Sequence, residues 1–141
     1  MSARYDILEH TADIGVIGKG DDLQYALEGC MAGLFSILYE ISYVREGGRT
    51  KCIVVEDQGD DTLTAVAGMQ EFLVLFYSEM FLASRTEVQR GDDGGLVINL
   101  YGEEFDPARH ELLTEVKAVT YHMLKTWKEG DTTFLRMLFD V

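Results

Sequence analysis

The chain has 141 residues, 47% of them apolar, and 25 acidic side chains against 12 basic ones give a formal net charge of −13. That length suits one domain, which at this size buries roughly 70% of the surface its unfolded chain exposes. The basic residues are scattered rather than gathered into a stripe, which disfavours direct binding of RNA or DNA. No apolar run approaches the ~18 residues of a membrane span, and the start MSARYDILEH lacks the basic and apolar regions of a signal peptide, so a soluble, cytoplasmic protein is expected. Cys30 and Cys52 sit in apolar patterns without CxxC spacing and read as buried thiols in a reducing compartment.

In chain order, Tyr5 to Lys19 reads as two short strands around the TAD turn, with alternating side chains on either side of it. Asp21 or Asp22 then caps a helix over about 21–40, whose apolar positions Leu23, Ala26, Leu27, Cys30, Met31, Leu34, Phe35 and Leu38 recur every three or four residues. VREGGR turns the chain into a strand from Thr50 to Glu56, in which Ile53, Val54 and Val55 are expected to be mostly buried. QGDDT repeats the acidic entry signal for a second helix over about 60–82, with a broad apolar stripe.

From Thr86 to Tyr101, two strands are joined by RGDDGG, a loop rich in residues that tolerate positive φ. TEVKAVTYHMLKTW fits both periodicities, and its β-branched residues and Tyr121 favour strand. TFLRMLFDV alternates as a final strand. These elements predict an α+β two-layer sandwich, with two helices packed on a mixed, largely antiparallel sheet.

The residues that could carry chemistry lie near the two ends of the sequence. His10 and Asp13 are three apart, so they converge only if TAD turns the chain; an Asx-type turn with His10 bonded to a carbonyl is the structural alternative to metal binding. A terminal strand ending FDV sets the α-carboxylate of Val141 beside Asp140. If Asp13 joined them, each pair of charges at ~4.5 Å and an effective dielectric of ~20 would repel by about 3–4 kcal/mol, and the cluster would need a cation or a lysine. All-oxygen ligation suits calcium, magnesium or manganese better than zinc.

Lys117, flanked by valine and alanine, must reach water or a carboxylate. His110 reads as an exposed loop residue and His122 as a packed one. GxSxG, HExxH, GxxxxGK[ST] and a helix-opening GxGxxG are all missing, and GVIGKGDD has the wrong spacing and charge for a phosphate loop.

Taken together, YDILEHTADIGV, ALEGCMAGLF, GEEFD with its following His, TEVKAVTYH and the terminal FDV closely resemble the archease family almost from end to end. The resemblance implies an accessory protein, not a free-standing enzyme. It implies assistance to the RtcB-type RNA ligase of tRNA splicing, by promoting guanylylation of the ligase and hence multiple turnover, and a chaperone-like role toward a tRNA methyltransferase. It further implies a bound metal ion, calcium in the family, held by Asp13, Asp140 and Val141, with Lys117 in the matching family block; Lys117 and, from its own place beside the TAD turn, His10 are the supporting candidates. Leu112 and Leu113 in HELLTEVK depart from the polar loop expected there. Two alternatives are a metal-dependent hydrolase using Asp13, Asp140 and His10 to activate water, and a general holdase acting through apolar surface.

Overall fold

The computed structural model describes residues 4–9 and 13–141. Strands β1 (Arg4–Glu9) and β2 (Asp13–Gly20) form the expected N-terminal hairpin. Helix α1 (Leu23–Leu38) starts at Asp22, whose side chain accepts the Tyr25 N–H at 3.0 Å. β3 (Arg49–Val55) leads to α2 (Asp61–Glu79), capped in the same way by Asp60 on the Leu63 N–H. Both acidic entry signals therefore act as N-caps, each satisfying a backbone donor that the helix cannot pair internally. β4 (Phe81–Arg90) and β5 (Leu96–Glu104) form the second hairpin, and β6 (Ala118–Glu129) and β7 (Thr132–Asp140) the third.

The α+β layering holds, but the expected sheet is divided into two: a four-stranded sheet ordered β1-β2-β7-β6 and a three-stranded sheet ordered β3-β5-β4, with every pairing antiparallel. The division follows from α1, which is buried almost all round and packs on β1, β2 and β7 as well as on β4 of the other sheet. A helix apolar on all sides must be covered on all sides, and a single flat sheet covers only one. α2 bridges the same division, touching β6 of one sheet and β3, β4 and β5 of the other.

Between the helices Phe35 packs on Phe72 at 4.9 Å and Tyr39 stacks on Phe76 at 5.8 Å. Tyr39 is fully buried, and its hydroxyl donates to the Ala83 carbonyl at 2.6 Å, fastening the end of α1 to β4.

Two expectations about burial are corrected by the three-stranded sheet, which covers one face only. Ile53 and Val55 point into the core, whereas Val54 between them is 73% exposed. Cys52 shares its outward phase and is exposed, so only Cys30 is the buried thiol that was expected of both. Helix α2 stops at Glu79 rather than 82, because Met80 adopts the left-handed conformation (φ 50°) and Phe81 opens β4.

Helix α1 lies tightly against β2 at Gly18. A Cβ there would strike the Ala26 carbonyl oxygen, the Cys30 amide nitrogen and the Cys30 sulfur. Neither backbone group can move without shifting α1 off β2. Gly18→Ala is therefore expected to destabilise the protein by about 3 kcal/mol, read as a lowered urea midpoint, against about 1 kcal/mol for Gly47→Ala, where φ is +98° and nothing lies within 4 Å.

Candidate functional site

The β2–β7 register sets Asp13 directly opposite Asp140. Residues paired across adjacent strands leave the same face of a sheet, with Cβ atoms roughly 4.5–5.5 Å apart, and like charges so placed repel. The face is the one turned away from α1: Val16, Gly18 and Gly20 of β2 point inward and are buried, while Asp13, Gly15, Ile17 and Lys19 alternate outward. Ala118 of β6 completes the row on the far side of Asp140. Asp13 is half-buried, and Asp140 and Val141 are exposed.

Lys117 reaches this corner through its backbone. Its N–H donates to the Asp140 carbonyl at 2.7 Å, and its side chain is exposed. The approach is built from the end of α1, where the unpaired carbonyls of Ile37 and Leu38 accept the N–H groups of Thr114 and Leu113 at 3.1 and 2.9 Å. Further along the same segment, the Tyr77 hydroxyl donates to the Val116 carbonyl at 2.6 Å and accepts the Val116 N–H at 3.1 Å. Leu112 and Leu113 are exposed here, on a loop whose path is fixed by backbone pairing rather than by their side chains. His10 lies outside the described residues.

As a cation site, the corner offers oxygen donors. Among the described residues no three His, Cys, Asp or Glu side chains gather at metal-binding separation. Side chains alone thus bring two carboxylates, and a third would be the α-carboxylate of Val141. The carboxylates fit a hard cation that completes its shell with water, as calcium or magnesium does, whereas zinc favours sulfur and nitrogen donors.

The other two histidines sit differently from expectation. His110 is buried: its Nδ1 accepts the Asp106 N–H at 2.8 Å, so Nε2 carries the proton and faces the Glu103 carboxylate at 2.9 Å. Arg109 grips the same carboxylate with both terminal nitrogens at 2.6 and 2.7 Å, and the Arg45 N–H adds a further bond at 2.8 Å. GEEFD and its trailing His are thus one locked turn, a structural role that the spacing of Glu103, Asp106 and His110 could have signalled. His122 is exposed rather than packed, because β6 leaves its register between Thr120 and Lys125 and bulges outward there.

A small α+β protein with paired carboxylates at the meeting of its first hairpin and last strand is the class these features define. The chain belongs to the Archease protein family (MTH1598/TM1083), whose model matches residues 5–141. It is 33% identical over 139 residues to the protein archease of Pyrococcus abyssi (strain GE5 / Orsay), covering 96% of each chain. Its fold superposes on the solution structure of Methanobacterium thermoautotrophicum protein 1598 with a TM-score of 0.79, at 28% identity and covering 97% of this chain and 98% of that one. A Thermotoga maritima protein, described as an archease and possible chaperone, shares the fold at a TM-score of 0.65 and 20% identity, covering 95% of this chain and 94% of its own.

The locked turn generates a pH prediction. Arg109 foremost, with the Arg45 N–H and His110, holds the Glu103 carboxyl at about 2, below its ordinary 4.5. The folded value lies below the unfolded one, so this contribution is full above about pH 4.5 and is lost as pH falls through about 2. Glu103→Gln is expected to lose roughly 1–2 kcal/mol at pH 7. Urea midpoints of the two proteins should converge as pH drops from 4.5 toward 2.

Proposed function

We propose that this chain is an accessory protein that activates an RtcB-type RNA ligase, and that Asp13, Asp140 and the Val141 carboxylate hold a divalent cation at the end it presents to the ligase. The observation that carries the reading is the direct opposition of Asp13 and Asp140 across β2 and β7. Two like charges face-to-face on adjacent strands work against folding unless a positive group joins them. Family membership supports the assignment, and relatives named archease span nearly the same length.

Calcium is the proposed ion, with magnesium and manganese sharing its preference for oxygen. When bound, the ion would supply positive charge for phosphate oxygens near the ligase's nucleotide. The chain's own residues perform the positioning: β2 and β7 fix the two aspartates by register, and the Lys117 N–H pins the strand end through the Asp140 carbonyl. Lys117 and His10 are proposed as supporting residues, Lys117 by placing its ammonium beside the same corner. A tRNA methyltransferase is proposed as a further client, in keeping with the words "possible chaperone" used of the Thermotoga relative. The cytoplasm is the proposed location; no described helix is long and apolar enough to cross a membrane.

Ligase guanylylation from GTP, followed with wild type, Asp13→Ala and a Val141 deletion, tests the reading. Both variants are expected to lose at least tenfold of the stimulation while keeping their far-UV circular dichroism, and to lose calcium binding measured by calorimetry on the isolated protein. Undiminished stimulation by both would rule the site out. Turnover of phosphate esters by the purified protein alone would favour the hydrolase instead.

A further inference from the structure

The outward face that carries Asp13 and Asp140 continues along β2, β7 and β6 into a region of opposite character. Successive cross-strand rows run from Asp13 and Asp140, through Gly15 and Leu138, to Ile17, Arg136 and Lys125, and then to Lys19, Phe134 and Trp127. Phe134 and Trp127 stack at 5.3 Å and 7°, and the Arg136 guanidinium and Lys125 ammonium lie over the Trp127 ring at 5.4 and 5.6 Å. Beside them the β6 bulge exposes Tyr121 (63%) and Met123, the latter in the left-handed region at φ 55°.

Six of the nine lysines and arginines outside the β6–β7 hairpin are paired with an acid, while Arg4, Arg45 and Lys117 have no carboxylate within 4.0 Å among the described residues. Lys51, Arg49, Arg85, Arg90 and Arg109 all have a carboxylate within 4.0 Å, as does Lys19. Lys125, Lys128 and Arg136, the three bases of the β6–β7 hairpin, have none among the described residues. Lys125 and Arg136 share the face of Trp127 and Phe134, whereas Lys128 alternates to the other face and Glu129 follows at the hairpin end; two unneutralised cations set about one aromatic pair make this part of the face complementary to negative charge. Arg136 is also held ready: its Nε donates to the Met123 carbonyl at 2.8 Å, which fixes the guanidinium and leaves both terminal nitrogens for a carboxylate.

We propose that this cation–aromatic face of β6 and β7 docks an acidic segment of a partner protein, one that sets carboxylates beside an aromatic or aliphatic side chain. The inference rests on the proposed function in one respect: the partner is the protein that the Asp13–Asp140 corner serves. Arg136 lies four residues from Asp140 along β7, roughly 13 Å at strand spacing, so one footprint of ordinary size covers both. A protein segment fits better than a nucleic acid. The net charge of −13 repels a polyanion along its whole length, and the stacking of Trp127 on Phe134 takes up ring surface that a base would need.

The test is the dissociation constant of the full-length protein for the RNA ligase, by biolayer interferometry at several salt concentrations. Lys125→Glu and Trp127→Ala are each expected to weaken binding at least tenfold, Lys125→Arg to restore it, and wild-type binding to weaken with salt. Arg136 also holds backbone through its side chain, so Lys125, whose side chain makes no hydrogen bond among the described residues, gives the cleaner variant; thermal melting confirms that each variant is folded. Unchanged affinity in folded Lys125→Glu and Trp127→Ala overturns the proposal. So does capture of a 20-nucleotide single-stranded RNA by the wild type that Lys125→Glu abolishes. Binding without stimulation, weakened by Lys125→Glu, would sink the proposed function and leave this surface standing. Stimulation lost only in Asp13→Ala would do the reverse, and no binding by the wild type would sink both.

Discussion

The pairing of β2 with β7 is the constraint on which the rest depends, because it joins the first hairpin to the last strand and serves two faces at once. Its inward row sets Val16 against Met137 and Gly18 against Leu135, the floor on which α1 lies. Its outward row sets Asp13 against Asp140. A slip of one residue would exchange the two rows, sending the acids into the core and the core into water. Helix α1 locks the register from within, since the Cys30 thiol donates to the Leu135 carbonyl at 3.2 Å beside the Gly18 contact. Burial pushes that thiol up to about 12, so it stays a protonated donor and not a nucleophile.

Helix α1 links the two halves of the molecule in a second way. Its last carbonyls are closed by the segment from Leu113 to Thr114, and that segment continues through Val116, held by Tyr77 of α2, to Lys117 at the acidic corner. The satisfaction of a helix terminus and the delivery of a strand end to Asp140 are therefore one run of hydrogen bonds. The exposed Leu112 and Leu113 are tolerated because the backbone, not the side chains, does the anchoring.

Much of this was legible in the sequence because the signals were local. Asp22 and Asp60 stand at the helix starts that their capping chemistry requires, and the three hairpins follow from alternation around turn residues. What stayed hidden depended on partners distant in the chain. Nothing near Val54 or Cys52 says that their sheet is covered on one side only. His110 looks like any loop histidine until Glu103 and Arg109 close around it. The bulge in β6 could not be read either: TYHML supports strand and helix alike, and the extra residues show only against Leu138 and Arg136 of the partner strand. At the candidate site, the acidic residues near the two ends of the sequence point to a meeting of Asp13 with Asp140, whereas the register that brings it about belongs to the fold.

The placement of the acids on an open sheet face bears on the division of labour in the proposed reading. Asp140 is exposed and Asp13 only half-buried, so water reaches both carboxylates. Charges in water are screened and reorganise freely, which is a poor setting for stabilising a transition state. The same carboxylates, carried into a partner's enclosed pocket, would lose that water and act through a much lower dielectric. A surface that is weak alone and strong when capped suits a protein that completes another's site. The opposite charge farther along the same face then has a physical use: a face acidic at one end and cationic at the other can seat on its partner in one direction only.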